Sequence, residues 1–177
     1  MCIRDRTNLA QELTASGEYV AVLVSVEVGA AFNDDPGAAE LAILDEWQRA
    51  ISVRLAPDMQ PPPWPEARPG ARLGRALQMW AAAAPRPLVL FIDEIDALRD
   101  DALISVLRQL RTGYFDRPQS FPWSVALIGL RDVRDYKVAS GGSDRLNTAS
   151  PFNIKTESLT LGDFSADDVA ALYGQHT

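Results

Sequence analysis

Three short apolar runs, set apart by helix-length stretches, constrain this chain more than any other feature. Residues 19–28 (YVAVLVSVEV), 87–92 (PLVLFI) and 123–130 (WSVALIGL) are rich in β-branched residues and nearly unbroken in apolar character. A strand wetted on one face alternates apolar with polar, so unbroken runs mark strands covered on both faces. A shorter run, residues 157–161 (ESLTL), reads as a fourth strand. Strands alternating with helices imply an α/β fold built on a parallel sheet with helices on both sides.

The stretches between the runs supply those helices. Residues 7–16 carry Leu9 and Leu13 at helical spacing, and Gly17 stands where a C-terminal cap belongs. Residues 33–37 (NDDPG) are turn and cap chemistry. They open a helix over 38–55 whose expected buried stripe is Leu41, Leu44, Ile51 and Leu55, with Trp47 and Ile43 nearby. Residues 71–84 form another helix, stopped by Pro85. A further helix over about 100–115 turns Leu103, Val106, Leu107 and Leu110 inward. Ser165 is placed to cap a last helix that carries Asp167 and Asp168 in its first turn. Residues 57–70 (PDMQPPPWPEARPG) cannot be regular structure, because proline fixes the backbone and lacks a donor. The expectation there is a surface loop, with a proline-rich ligand for another module as the sharper alternative.

Composition narrows the function classes. At 177 residues, with 47% hydrophobic and 23% charged, the chain has what one core-forming domain needs. Its 17 basic and 24 acidic residues leave a net charge of −7, which argues against sequence-blind binding to nucleic acid or an anionic membrane. No apolar run approaches the roughly 20 residues that span a bilayer, and a cytoplasmic location is expected. Cys2 is the single cysteine and His176 the single histidine, so neither an internal disulfide nor a Cys/His zinc set can form.

Chemistry concentrates at one place, where the run 87–92 ends in Asp93 and Glu94. Ligands of open α/β sheets bind at the carboxyl ends of strands. Two adjacent carboxylates there point different ways, so one can hold a hydrated Mg²⁺ while the other polarises a water. The plain alternative is that Asp93 caps the following turn and Glu94 is merely solvated.

The wider order of motifs bears on that choice. PLVLFIDEIDAL, a helix, a strand ending in GLRDVRDY, then SPFNI, a short strand and LGDFSADDVAALYGQHT together resemble the AAA+-like and STAND-type P-loop ATPases. Within these, the chain is most similar to bacterial AAA-like domain ATPases related to the archaeal ATPase and origin-recognition group. The resemblance covers residues 7–177, with 7–162 as a partial ATPase core and 163–177 as the start of a helical lid. It implies a three-layer αβα P-loop NTPase sheet of strand order 5-1-4-3-2. The four runs would be strands 2, 3, 4 and 5, with strand 1 absent and a three-stranded parallel 4-3-2 core remaining.

The resemblance also implies roles. LFIDEIDAL is similar to Walker B: Asp93 would hold Mg²⁺ through water and Glu94 would activate the attacking water. Arg131 would be the sensor that reads the γ-phosphate of ATP. Arg134 is either a trans arginine finger or a partner of Asp132 or Asp135, and Asp96 is expected to brace the next helix. The family's GxxxxGK[ST] phosphate loop is missing, for no Gly-Lys pair occurs in the chain. Residues 1–6 (MCIRDR) match a translated transposon-end sequencing adapter and are expected to be non-native. The expectation is therefore part of an ATP- and Mg²⁺-dependent ATPase that is not competent alone. The rival is a nucleotide-gated STAND-type switch or scaffold that self-associates or controls an effector domain. A receiver-like domain phosphorylated on Asp93 is a third reading, lacking the further acidic pair and late lysine that it needs.

Overall fold

The computed structural model describes residues 3–130, 162 and 165–174. In chain order these form α1 (Ile3–Ala15), β1 (Val20–Ser25), α2 (Pro36–Arg54), α3 (Arg72–Ala83), β2 (Leu88–Asp93), α4 (Asp100–Gly113), β3 (Ser124–Leu127) and α5 (Ala166–Gly174). Short 3-10 turns lie at Glu27–Phe32 after β1, Ile95–Ala97 after β2 and Tyr114–Asp116 after α4. The fourth run, residues 157–161, lies outside the described residues.

The sheet is parallel, in the order β1-β2-β3. Val20 pairs with Leu88 and Ser25 with Asp93, while Val89 to Ile92 run beside Ser124 to Leu127. This is the three-stranded core expected of the three apolar runs. Side chains alternate across it, as the pleat requires. Val20, Val22 and Val24, with Leu88, Leu90 and Ile92, share one core with residues of α2, α3 and α4. Ala21, Leu23, Val89 and Phe91 face the other way and pack with Ala10 and Leu13 of α1. Helices on both faces explain why the runs are apolar at consecutive positions.

Local chemistry sets the helix ends. Asp35 accepts a hydrogen bond from the Ala38 amide at 3.0 Å, and Pro36 occupies the first turn of α2, where a missing amide costs nothing. In α5 the Asp168 amide donates to the Ser165 hydroxyl at 3.1 Å, while the Ser165 amide donates back to the Asp168 carboxylate at 2.9 Å. Those bonds from Ser165 hold the Asp168 carboxyl below its ordinary titration range.

Two expectations need correction, and a third needs sharpening. Leu41 is half exposed, and the buried stripe of α2 runs through Glu40, Ile43, Leu44, Trp47 and Ile51 instead. At 100° per residue, position 41 turns away from a face centred on 40, 44, 47 and 51. β3 is half-buried rather than covered; β1 at the other edge is buried because α1 and α2 pack against it. Residues 57–70 are the expected surface loop, but they lie as a strap against α2 and α3 and not as a free ligand. Pro61 is buried, and Trp64 donates its indole hydrogen to the Leu44 carbonyl at 3.0 Å. The Trp64 ring also packs edge-on against Trp80, at 6.2 Å between centroids. The prolines keep this strap irregular, and the tryptophan gives it something to bury. Pro61 and Trp64 are thereby engaged within the chain, which speaks against a free proline-rich ligand.

Candidate functional site

Asp93 and Glu94 lie at the carboxyl edge of the sheet, at the end of its middle strand. Asp93 is the last residue of β2, and its carbonyl accepts from the Val26 amide at 3.2 Å, which fixes it beside the end of β1. On the other flank, the Ile128 amide donates to the Ile92 carbonyl at 2.8 Å, and the Ile95 amide donates to the Ile128 carbonyl at 3.1 Å. The acidic pair is thus held between the ends of β1 and β3, as expected from the sequence.

The two carboxylates sit in unlike surroundings. Asp93 is 6% exposed, and its Oδ1 accepts from the guanidinium of Arg6 on α1 as an ion pair. The same oxygen accepts from the Glu94 amide at 3.0 Å. The turn-capping role named as the plain alternative is therefore present, alongside the ion pair. Glu94 is exposed, with φ 58° and ψ 35° in the left-handed region, where a side chain costs about 1–2 kcal/mol. Its carboxyl titrates above the ordinary glutamate value. Partial desolvation is the main cause, reinforced by the negative fields of Asp93, Asp96 and Glu27 and opposed by Arg6.

Asp96 departs from its expected role. Its Oδ1 is buried without a hydrogen-bond partner, directly beneath the backbone of Gly129. A Cβ at Gly129 would lie 2.7 Å from that oxygen, so this close passage requires glycine. The start of α4 is braced instead by Asn33, which follows the 3-10 turn after β1. Asn33 Oδ1 accepts from the Arg99 amide at 2.7 Å, and its carbonyl accepts from the Ala102 amide at 3.1 Å. Nothing in the local sequence pairs Asn33 with a helix that begins 67 positions later, since Asp100 is where α4 opens. Arg131 and Arg134 lie outside the described residues.

A second buried carboxylate, Glu40, was not legible as special. It is 1% exposed on α2. Its Oε1 accepts from Ser105 Oγ at 2.9 Å and Gln109 Nε2 at 2.6 Å, and its Oε2 from the Gly70 amide at 3.0 Å. A fully engaged carboxylate of this kind ties α2, α4 and the start of α3 together and is structural.

The donor set at the carboxyl edge is all hard oxygen, which suits Mg²⁺ far better than a thiophilic metal. Among the described residues, no three His, Cys, Asp or Glu side chains converge to hold an ion unaided. Comparison with protein-family models, curated proteins and solved structures finds no match to this chain.

Proposed function

We propose that Asp93 and Glu94 are the Walker B pair of an AAA+-like or STAND-type ATPase, on a three-layer P-loop NTPase sheet. The observation that carries this reading is the contrast between the neighbours. A buried, anchored aspartate and an exposed, uphill-titrating glutamate end the middle strand of a parallel sheet, where such folds bind ligands. Asp93 would hold hydrated Mg²⁺ of Mg-ATP. Bound Mg²⁺ would neutralise phosphate charge. Glu94, its proton affinity raised by partial desolvation and then by its acidic neighbours, would take the proton of the attacking water. Arg131, which follows the end of β3 by sequence, would read the γ-phosphate.

The reading requires a phosphate loop, and none of the 177 residues supplies one. Its first test is the coding sequence upstream of residue 7, read for a strand followed by GxxxxGK[ST]. In a protein carrying that segment, Glu94→Gln should retain Mg-ATP binding and slow hydrolysis by roughly 10²–10⁴-fold, the contribution of a positioned general base. Asp93→Ala should weaken Mg²⁺-dependent binding, with partial recovery at high Mg²⁺. Unchanged turnover in Glu94→Gln would remove the assigned base and favour a nucleotide-gated switch. The 177-residue chain alone should show no saturable binding in a fluorescent-nucleotide titration. Tight, Mg²⁺-dependent binding there would mean that the missing phosphate loop is not needed.

A further inference from the structure

Two non-glycine residues adopt left-handed backbone conformations among the described residues, Glu94 at φ 58° and Asp100 at φ 45°. They bound a single seven-residue segment that leads from the end of β2 into α4. Strained residues persist only where the surroundings over-determine them, and the anchors of this segment are identifiable. At its near end, Ile95 is tied to Ile128 by the amide bond described above. In its middle, Leu98 is fully buried against Gly29, where an added Cβ would stand 2.9 Å from Leu98 Cδ2 and 2.8 Å from Ile43 Cδ1. At its far end the anchor is Asn33. Its side-chain Oδ1 takes the Arg99 amide at 2.7 Å and its backbone carbonyl takes the Ala102 amide at 3.1 Å, one on each side of Asp100. No side chain of Arg99 caps α4, so Asn33 supplies the acceptor that the helix start needs. The Asn33 amide nitrogen meanwhile donates to the Ala30 carbonyl at 2.9 Å, which orients the side chain so that its oxygen faces Arg99.

We propose that Asn33 is a positioning residue for Glu94: its side chain, by holding the Arg99 amide just before Asp100, keeps the segment wound and fixes where the Glu94 carboxylate stands. Without it, Asp100 relaxes to an ordinary helical or extended backbone. The residue-33 carbonyl still holds the Ala102 amide, but the Arg99 amide comes free, Leu98 becomes the last anchor before Asp100, and the turn at Glu94 loses part of its downstream restraint. The inference deepens the ATPase reading and rests on it for its functional consequence, but its structural content stands apart from nucleotide.

NMR on the isotope-labelled 177-residue chain tests it. A positive φ brings a residue's amide and α protons close, so Glu94 and Asp100 should each show a strong intraresidue cross-relaxation peak. In Asn33→Ala both peaks should weaken, while the indole signals of Trp47 and Trp80 in the core stay in place. Asn33→Asp keeps the acceptor oxygen and should restore both; Asn33→Ser, with a shorter reach, should restore them only in part. Strong peaks at Glu94 in Asn33→Ala, or equal loss in Asn33→Asp, would overturn the assignment. In a protein that carries a phosphate loop, Asn33→Ala should lower kcat by about 10–100-fold, as misplacement of a catalytic group does, with nucleotide affinity unchanged. If Glu94→Gln leaves turnover intact while the NMR result holds, the ATPase reading fails and the positioning role of Asn33 survives.

Discussion

Glu94 is a residue whose charge its surroundings oppose, and that opposition has a measurable sign. In the folded chain its carboxyl titrates above the ordinary glutamate value, and in the unfolded chain it returns to that value. Between the two values the folded state holds a proton that the unfolded state has released, so stability falls as pH rises through this window. Glu94→Gln cannot ionise and should escape the fall. Urea midpoints of the variant should therefore gain on the parent as pH climbs from below the ordinary glutamate value to above the raised one. A gap independent of pH would show that the fold does not raise the titration of Glu94. Added Mg²⁺ should narrow the gap if Asp93 holds the ion, because a cation at that edge favours the charged form of Glu94.

At the scale of elements, what could be read from the sequence was whatever depends on near neighbours along the chain. The apolar runs foretold β1 and β2, the NDDPG turn foretold the start of α2, and the strand-then-acid pattern foretold where Asp93 and Glu94 would stand. Features made by distant partners left no such trace. Glu40 takes donors that lie 30, 65 and 69 positions away, and along α2 it reads as one more surface acid beside an apolar Leu41. The bracing of α4 by Asn33 spans 66 positions, and the strap over 57–70 is packed because Trp64 meets α2 and α3 in space. The Glu40 contacts give the sharper test. Glu40→Ala would take an acceptor from the Gly70 amide, Ser105 and Gln109, of which Gln109 keeps Ser105 as a partner, so a loss of about 1–3 kcal/mol for each group left unpaired is expected. Glu40→Gln should also destabilise, because its amide group sets a donor against donors. A urea midpoint for Glu40→Gln equal to that of the parent would mean the carboxylate is not the hub of the three helices.

At the scale of the whole molecule, the sheet of the described residues ends at β1 on a guarded edge. The strand's odd-numbered residues turn their backbone groups away from β2, and side chains meet them there. The Thr14 hydroxyl bonds both the Ala21 amide, at 2.9 Å, and the Ala21 carbonyl, at 3.0 Å. The Arg54 guanidinium donates to the Leu23 carbonyl, and the Trp47 indole donates to the Ser25 carbonyl at 2.8 Å. One helix before β1 and one after it thus close an edge that would otherwise accept another strand. A cleft of about 220 Å³ runs along this edge, lined by Thr7, Gln11, Thr14, Leu23 and Arg54 among others, so the guarded backbone is reachable from solvent. The guard predicts how the chain fails. Thr14→Val combined with Arg54→Met keeps the packing volume but frees the Ala21 amide and the carbonyls of Ala21 and Leu23. The double variant should exchange its Ala21 amide faster and self-associate with rising concentration in sedimentation velocity, beyond whatever the parent shows. Arg54→Lys, which keeps a donor, should behave as the parent does. If the double variant sediments like the parent and protects Ala21 equally, Thr14 and Arg54 are not what closes the sheet.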